Sequence, residues 1–277
     1  MYINECDKWE NLTISNDFIF AKLMRDKAVC KEVLENLLNI KIKDIEYIDE
    51  QKSINIRYDA KSIRLDVYLE ADGKVYNIEM QVADNKNLAK RTRYYQGLID
   101  LDIIEKGETY KNLKDSFIIF ICAFDPFDKN LPVYTFENIC IENNLIKLED
   151  KAKKIFFNAK AFENVEDKNL KSFLKYINGQ KDNNSFINML NEKIKTIKES
   201  KEWRQEYMTM LMREQEIAHE NFEKGIEQGI EKGIKQGIIN QIETLKEFNI
   251  EKDMIIEKTA VKFNKSKEVI EKIYNGL

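Results

Sequence analysis

Histidine is almost absent from this sequence, since His219 is the single one among 277 residues. This excludes most catalysis by a Ser-His-Asp or Cys-His arrangement and most metal sites with several histidines. Any chemistry must therefore use carboxylates, lysines, tyrosines or amides. The cysteines lack the short paired spacing of a zinc ribbon, which predicts reduced thiols in the cytoplasm rather than disulfides. They are Cys6, Cys30, Cys122 and Cys140.

Long apolar runs are missing as well. The longest wholly apolar stretch, 117–124, is far shorter than the roughly 20 residues that a membrane helix needs. The N-terminus is polar and lacks a secretory signal pattern, so we expect a cytoplasmic protein without a membrane partner. The scarcity of Pro and Gly, with 2 and 9 residues, excludes collagen-like and proline-rich disordered chains. The net charge of -4 leaves only a local basic patch for nucleic-acid binding.

The hydrophobic pattern alternates between helical and strand-like periods, which predicts an α/β fold. A helical period covers 12–39, with Ser15 and Asn16 as its N-cap region. The apolar run 117–124 predicts a buried central strand, and the turn pair Asp72-Gly73 predicts a β-hairpin within 63–81. The other predicted elements are a helix over 86–106, strands at 55–58, 133–136 and 154–157, and a nearly continuous helical region from 167.

Two carboxylates face each other in this predicted hairpin. With a two-residue turn at 72–73, Asp66 lies directly opposite Glu79, and Gln81 lies on the same face of the sheet. Like charges in opposed positions are unfavourable unless a cation lies between them. A spacing of about 5 Å between the Cβ atoms suits joint ligation of one hard ion such as Mg²⁺. The alternative is a solvent-exposed polar face on which Arg64 neutralises the carboxylates.

A four-residue repeat with glycine occupies the C-terminal region. Each repeat glycine precedes an isoleucine, and the glycines are Gly225, Gly229, Gly233 and Gly237. Because each costs a helix about 1 kcal/mol relative to alanine, we expect close pairing of two helices to offset it. This predicts a homodimer through the helical tail, and a flexible linker is the alternative. Beyond residue 240, two turn-to-helix starts resemble a small helix-turn-helix.

A wider set of motifs surrounds the hairpin carboxylates. Asp66, followed by Glu79-Met80-Gln81 on the next strand, resembles the core of PD-(D/E)XK nucleases. The ordered set is similar to the Rpn family of recombination-promoting nucleases, which are also described as transposases. The motifs that carry this resemblance are 15–24, 65–67, 77–81 and 90–95, together with the Gly-Ile repeats of the tail.

The resemblance implies a restriction-endonuclease-like α/β fold, in which helices flank a mixed central sheet and a long helical C-terminal tail follows. We expect a nuclease-like domain over 1–165, a helical dimerisation extension over 166–240 and a small helical C-terminus over 241–277. The implied activity is a metal-dependent DNA endonuclease, linked to recombination or mobile DNA, that hydrolyses phosphodiester bonds with a metal-activated water.

Carried over onto this sequence, the resemblance implies that Asp66 and Glu79 bind Mg²⁺ or Mn²⁺ and that both are catalytic together with Gln81. Gln81 stands where the superfamily has lysine, so a dipole replaces a positive charge. An alternative function follows from this departure, namely a catalytically weak or inactive nuclease-like fold that acts as a homo-oligomeric interaction protein. Cleavage of RNA instead of DNA is not excluded by any residue.

Three further residues are candidates for the same site. Asp17, near the start of the first helix, is a candidate additional acid, and the alternative is a carboxylate favoured there by the helix dipole. Arg93 and Gln96 share one stripe of the helix that follows the hairpin, and both are candidate phosphate contacts. The alternative for this stripe is an ordinary solvated helix face.

Overall fold

The computed structural model describes residues 9–50, 52–54, 63–84 and 86–277. Its N-terminal region is helical. Helix α1 spans Asp17–Met24, and its N-cap is Asn16, as predicted. Helix α2 spans Lys27–Leu38 and begins at Asp26, whose side chain accepts hydrogen bonds from the N–H groups of residues 28 and 29. A second capping residue therefore divides the predicted helix over 12–39 into two.

The strands form one large and one small sheet. Their bounds are β1 Ile45–Glu50, β2 Ser53–Ile54, β3 Ile63–Arg64, β4 Val67–Ala71, β5 Lys74–Gln81, β6 Ser116–Cys122, β7 Val133–Phe136 and β8 Ala152–Asn158. The large sheet has the order β1-β4-β5-β6-β8-β7, while β2 pairs with β3 alone. β1, β4 and β5 are antiparallel, β5, β6 and β8 are parallel, and β7 is antiparallel to β8. The mixed sheet with flanking helices confirms the predicted fold class.

The predicted hairpin is confirmed over its inner part only. Asp72 and Gly73 form the turn, both with positive φ, and β4 pairs with β5 in the predicted register from Ala71 opposite Lys74 to Val67 opposite Ile78. The ladder stops there, because Ile63–Arg64 pairs with β2 instead. The prediction that the hairpin continues back to residue 63 is therefore wrong. The predicted strand at 55–58 lies outside the described residues.

The three parallel strands end level with one another. β6 is the buried central strand that the apolar run predicts, and its residues from Ile118 to Cys122 are at most 1% exposed. Gln81 at the end of β5 pairs with Cys122, which in turn pairs with Asn158 at the end of β8. Chain segments that leave this carboxyl edge lie side by side, as they do where α/β proteins bind ligands.

Helices cover the large sheet and frame its carboxyl edge. Helix α3, Leu88–Ile103, contacts β6 and buries Tyr95 and Ile99 in a cluster with Phe120 and Phe156. Helix α4, Lys168–Ile177, packs against helix α5, Ser185–Glu199, which also contacts α1. The predicted helix over 86–106 is thus confirmed with slightly shorter bounds.

Residues 206–277 form a compact unit separate from residues 1–205. Helix α6, Lys201–Glu247, runs without interruption through the glycine repeat, and helices α7, Lys252–Phe263, and α8, Lys267–Tyr274, follow. A small apolar core joins the end of α6 to both, with Ile242, Ile255 and Ile270 fully buried. The repeat is therefore helical, as predicted, and not a linker of irregular structure. The predicted three-part division at 165 and 240 stays a prediction.

Candidate active site

Asp66 and Glu79 hold each other in place through backbone amides. Asp66 immediately precedes β4, and Glu79 lies in the neighbouring strand β5. The Asp66 N–H donates to Glu79 Oε1 at 3.2 Å, and the Met80 N–H donates to Asp66 Oδ2 at 3.0 Å. The two residues that the hairpin register predicts to be opposed are therefore adjacent in the structure.

The surroundings of Glu79 disfavour its negative charge. Only 2% of the residue is exposed. Burial and the nearby charge of Asp66 raise the pKa of Glu79 well above its usual value, although a hydrogen bond from the Asp66 backbone, the Asn77 amide and the charge of Arg91 act in the opposite direction. A cation between the two carboxylates would favour the ionised form of both. The arrangement thus suits a bound cation better than two free charges.

Arg91, near the start of α3, contacts Glu79. Its Nη1 donates to Gln81 Oε1 at 2.6 Å, and its Nη2 lies 3.4 Å from Glu79 Oε2 and donates to the Tyr95 hydroxyl at 2.9 Å. The guanidinium carbon also lies 5.3 Å from the ring centroids of Tyr95 and Phe120. These contacts fix a positive charge beside Glu79.

The side-chain amide of Gln81 is bonded at both ends. Its Nε2 donates to the Ala83 carbonyl at 2.6 Å, and its Oε1 accepts the hydrogen bond from Arg91. The residue is only 8% exposed. The glutamine that stands in the position of the superfamily's lysine is therefore held in one orientation, and Arg91 contacts its amide oxygen.

A buried amide without a good hydrogen bond lies next to the carboxylates. Asn77 is fully buried two residues before Glu79 on the same strand, and within the described residues neither its Oδ1 nor its Nδ2 makes a hydrogen bond of acceptable geometry. A buried polar group in this state is a place for an ordered water or an ion. Carboxylate and amide oxygens are the ligands that Mg²⁺ and Mn²⁺ prefer.

The described part of the chain supplies two carboxylates to this site rather than three. No group of three or more His, Cys, Asp or Glu that would hold a metal ion is found among the described residues. Mg²⁺ is commonly bound by one or two carboxylates and keeps several of its waters, so Asp66 and Glu79 fit such an ion.

The structure does not bring the other predicted site residues to this pair. Asp17 is exposed in the first turn of α1. Arg93 is exposed and, two residues after Arg91, points away from it on α3. Gln96 donates from Nε2 to Asp100 at 2.8 Å and to Ser116 at 2.7 Å, at the amino end of β6. A phosphate contact by Arg93 or Gln96 and an acid role of Asp17 stay predictions.

The sequence pattern singles out Arg93 and Gln96 on this helix but not Arg91, which contacts Glu79. The signal was its spacing of four residues from Tyr95, which together with Leu88, Thr92 and Ile99 forms the buried side of α3. An arginine at the edge of a buried helix face next to two carboxylates is a better candidate than one in the middle of the exposed face. The angle at which α3 meets the sheet was needed to decide between them.

Comparison with protein families decides the classification. The family model described as PD-(D/E)XK nuclease family transposase matches residues 14–232. The chain belongs to this family. Comparison with curated proteins and with solved structures gives no significant match.

As a member of the PD-(D/E)XK nuclease family transposases, the chain has a nuclease-like function and a restriction-endonuclease-like fold. The match covers the two hairpin carboxylates and extends into the glycine repeat, where it includes Gly225 and Gly229. Nucleases of this kind use divalent metals and bind DNA. Within the described residues, no helix has both the length and the apolar character to cross a membrane.

Proposed function

We propose that the protein is a metal-dependent DNA endonuclease that acts in recombination or on mobile DNA in the cytoplasm. The observation that carries this proposal is the pair Asp66 and Glu79, which are linked through each other's backbone region while burial disfavours a free charge on Glu79. A bound cation would stabilise such a pair. Membership of the nuclease family indicates that this cation would act in phosphodiester hydrolysis.

In this mechanism the carboxylates of Asp66 and Glu79 would hold Mg²⁺ or Mn²⁺. When bound, the ion lowers the pKa of a water and polarises the phosphodiester. The Gln81 amide orients the water or a phosphate oxygen, because its own direction is fixed by Ala83 and Arg91. The ordered Asn77 amide supplies a further polar contact for a water in the buried part of the site.

Arg91 provides the positive charge that the missing lysine would otherwise give. Its guanidinium contacts both Gln81 and Glu79. A positive charge at this point stabilises the negative charge that develops on the phosphate during hydrolysis. The glutamine and the arginine together thus replace one lysine. The Gln81 amide supplies the dipole, and Arg91, which donates to that amide, supplies the positive charge.

The tail supplies the proposed homodimer. Exposed apolar side chains recur along α6 before and within the glycine repeat, namely Met212, Ile217, Phe222, Ile226 and Ile230. Apolar residues exposed in this number on one helix mark an interaction surface, and a second copy of the same helix is the partner we propose. Replacement of Ile226 and Ile230 by glutamate should convert the dimer to a monomer in analytical ultracentrifugation, whereas replacement of the exposed Glu227 and Glu231 by glutamine should not.

The same surface favours a second function. A nuclease-like fold with low or no catalytic activity would act through its exposed helix α6 as a homo-oligomeric interaction protein. This alternative differs from the first in one respect that can be measured, because it does not require a metal at Asp66 and Glu79.

The decisive experiment is plasmid nicking by the purified protein with Mg²⁺, Mn²⁺, Ca²⁺ or EDTA. Asp66→Ala and Glu79→Ala are compared with Glu142→Ala, which removes an exposed carboxylate elsewhere. We expect cleavage with Mg²⁺ or Mn²⁺ that both hairpin variants abolish and the control retains. Equal cleavage by all variants would show that another site or a contaminant acts. Absence of cleavage by the wild type on DNA and on an RNA control would favour the interaction protein.

A further inference from the structure

A groove with a mixed polar and apolar lining opens at the carboxyl edge of the three parallel strands. It lies within residues 10–199 and has a volume of about 1070 Å³. Val82, directly after Gln81, and Ala123, directly after β6, form part of its wall. The Ala123 N–H donates to the Gln81 carbonyl at 3.0 Å. The groove therefore lies next to the candidate active site, since Val82 follows Gln81 in the chain and Ala123 bonds to the Gln81 backbone.

The groove is basic although the whole chain is acidic. Four lysines line it, namely Lys160, Lys181, Lys195 and Lys198. The carboxylates that line it are Glu10, Asp182 and Glu199. Two of them have cationic neighbours outside the lining: Asp182 pairs with Lys175 at 3.4 Å, and Glu10 lies 4.0 Å from Arg204. In a chain with a net charge of -4, the groove thus retains an excess of positive charge.

The lysines of the groove remain available to a ligand. Lys160, Lys181 and Lys195 are exposed, and within the described residues none of the three forms an ion pair. Lys198 differs, because its Nζ donates to the Glu10 backbone carbonyl at 2.8 Å. The sheet positions Lys160 itself, since the side chain of Asn158 at the end of β8 accepts a hydrogen bond from the Lys160 N–H at 2.9 Å. Three cations therefore face solvent beside the ends of strands that also hold Gln81.

Neutral hydrogen-bonding groups accompany these lysines. The groove is lined by Asn178, Asn183, Asn188 and Asn191 and by Tyr176, whose hydroxyl donates to Asn191 at 2.5 Å. Amide and hydroxyl groups contact the phosphates and sugars of nucleic acids, and lysines neutralise their phosphates. Together with the exposed lysines, these amides and this hydroxyl suit an extended, negatively charged backbone with many polar atoms.

We propose that this groove binds the phosphate backbone of the DNA strand next to the bond that is cut. The role of the groove in cleavage rests on the proposed function, but DNA binding by the groove requires no catalysis. A DNA backbone whose phosphates contact Lys160 and Lys195 would continue past Val82 and Ala123, which adjoin Gln81. The groove thereby gives an acidic protein a local affinity for DNA.

The test measures DNA binding by the full-length protein without hydrolysis. A fluorescein-labelled duplex with a single-stranded end is titrated in EDTA and, separately, in Ca²⁺, and fluorescence anisotropy is recorded over a range of salt concentrations. The groove variant combines Lys160→Glu with Lys195→Glu. The matched control combines Lys106→Glu with Lys111→Glu, two exposed lysines in the segment that leads into the amino end of β6. Both variants change the net charge equally, and thermal melting shows that they fold.

We expect the groove variant to bind the duplex at least about tenfold more weakly than the wild type and to reduce the slope of log K against log salt by about 2. The control should bind like the wild type. Wild-type affinity in the groove variant, equal weakening in the control, or no DNA binding by the wild type would overturn the proposal. Metal-dependent cleavage by the wild type is scored separately. Groove-dependent binding without cleavage would contradict the proposed hydrolysis alone, and cleavage without groove dependence would contradict the groove alone.

Discussion

The guanidinium of Arg91 donates to the side-chain oxygen of Gln81 across 2.6 Å, which links the first turn of α3 to the last residue of β5. The contact explains how a glutamine is held at a position where related nucleases have lysine. Because the same guanidinium reaches Glu79 and Tyr95, a single arginine orders one side of the candidate site.

Replacement of Arg91 by lysine should lower the cleavage rate by about 10²-fold, because an ammonium group cannot contact Gln81, Glu79 and Tyr95 together. Single-turnover cleavage with Mg²⁺ measures the rate. A second readout does not depend on activity: the Mg²⁺ concentration at which the melting temperature has risen by half of its maximal increase. The exposed Arg213, replaced by lysine, is the control and should leave both values unchanged. Equal losses in the two variants would contradict a specific role of Arg91.

Replacement of Gln81 by lysine should destabilise the protein by about 1–3 kcal/mol, although it restores the residue found in the superfamily. The new ammonium would lie where Arg91 now donates a hydrogen bond, and the two like charges would repel. The double variant with Arg91→Gln should recover most of the lost stability. Denaturant unfolding of both single variants and the double variant forms a double-mutant cycle. Additive effects of the two substitutions would show that the residues are not coupled.

Stability without metal should fall as the pH rises through the titration of Glu79. Since the folded protein raises the pKa of Glu79 above its unfolded value near 4.5, the folded state binds more protons between the two values. This contribution is fully present below the unfolded pKa and is lost as the pH rises through the folded pKa. Added Mg²⁺ should remove the loss, because it binds the ionised carboxylate of the folded state.

Thermal melting of the wild type and of Glu79→Gln, each in EDTA and in Mg²⁺, measures this dependence. Other carboxylates titrate in both proteins, so the difference between the two melting curves isolates Glu79. We expect the difference to change with pH in EDTA and to be smaller in Mg²⁺. A pH-independent difference in EDTA would contradict the raised pKa.

Two glycines of the repeat should respond in opposite ways to alanine. A Cβ at Gly237 would lie 3.0 Å from the Phe263 ring, so Gly237→Ala should disturb the packing of α6 on α7 and lower the melting temperature. A Cβ at Gly229 meets nothing within 4 Å, and Gly229→Ala should stabilise the helix of the isolated chain by about 1 kcal/mol. Circular dichroism at low protein concentration compares the two. Equal effects of both substitutions would contradict the close approach at Gly237.

The hairpin was predictable from local sequence, whereas its end was not. Asp72 and Gly73 require positive φ at both turn positions, and this fixes the register that brings Asp66 to Glu79. The ladder stops before Asp66 because Arg64 pairs with Ser53, which is a contact between distant segments that no turn signal indicates. Local chemistry thus determined the carboxylate pair, and tertiary pairing determined how far the strand continued.

For the helices, too, local sequence predicts some features and tertiary contacts decide the others. Asn16 was recognised as an N-cap, but Asp26 was not recognised as a second one, because the apolar pattern continues across it. For α3, the sequence predicts the helix and its basic residues but not which side of the helix faces the sheet. Arg91 contacts the site and Gln96 bonds to Ser116 at the other end of β6, although both belong to one basic and polar segment.

The backbone anchoring of the two carboxylates has an evolutionary consequence. Each acid is held by a main-chain N–H group next to its partner, and main-chain groups survive any substitution except proline. A lineage can therefore lose either acid, and its chemistry, while the neighbouring strand keeps its shape. Selection on the remaining surfaces would then act on an intact scaffold, so loss of activity would not require loss of the fold.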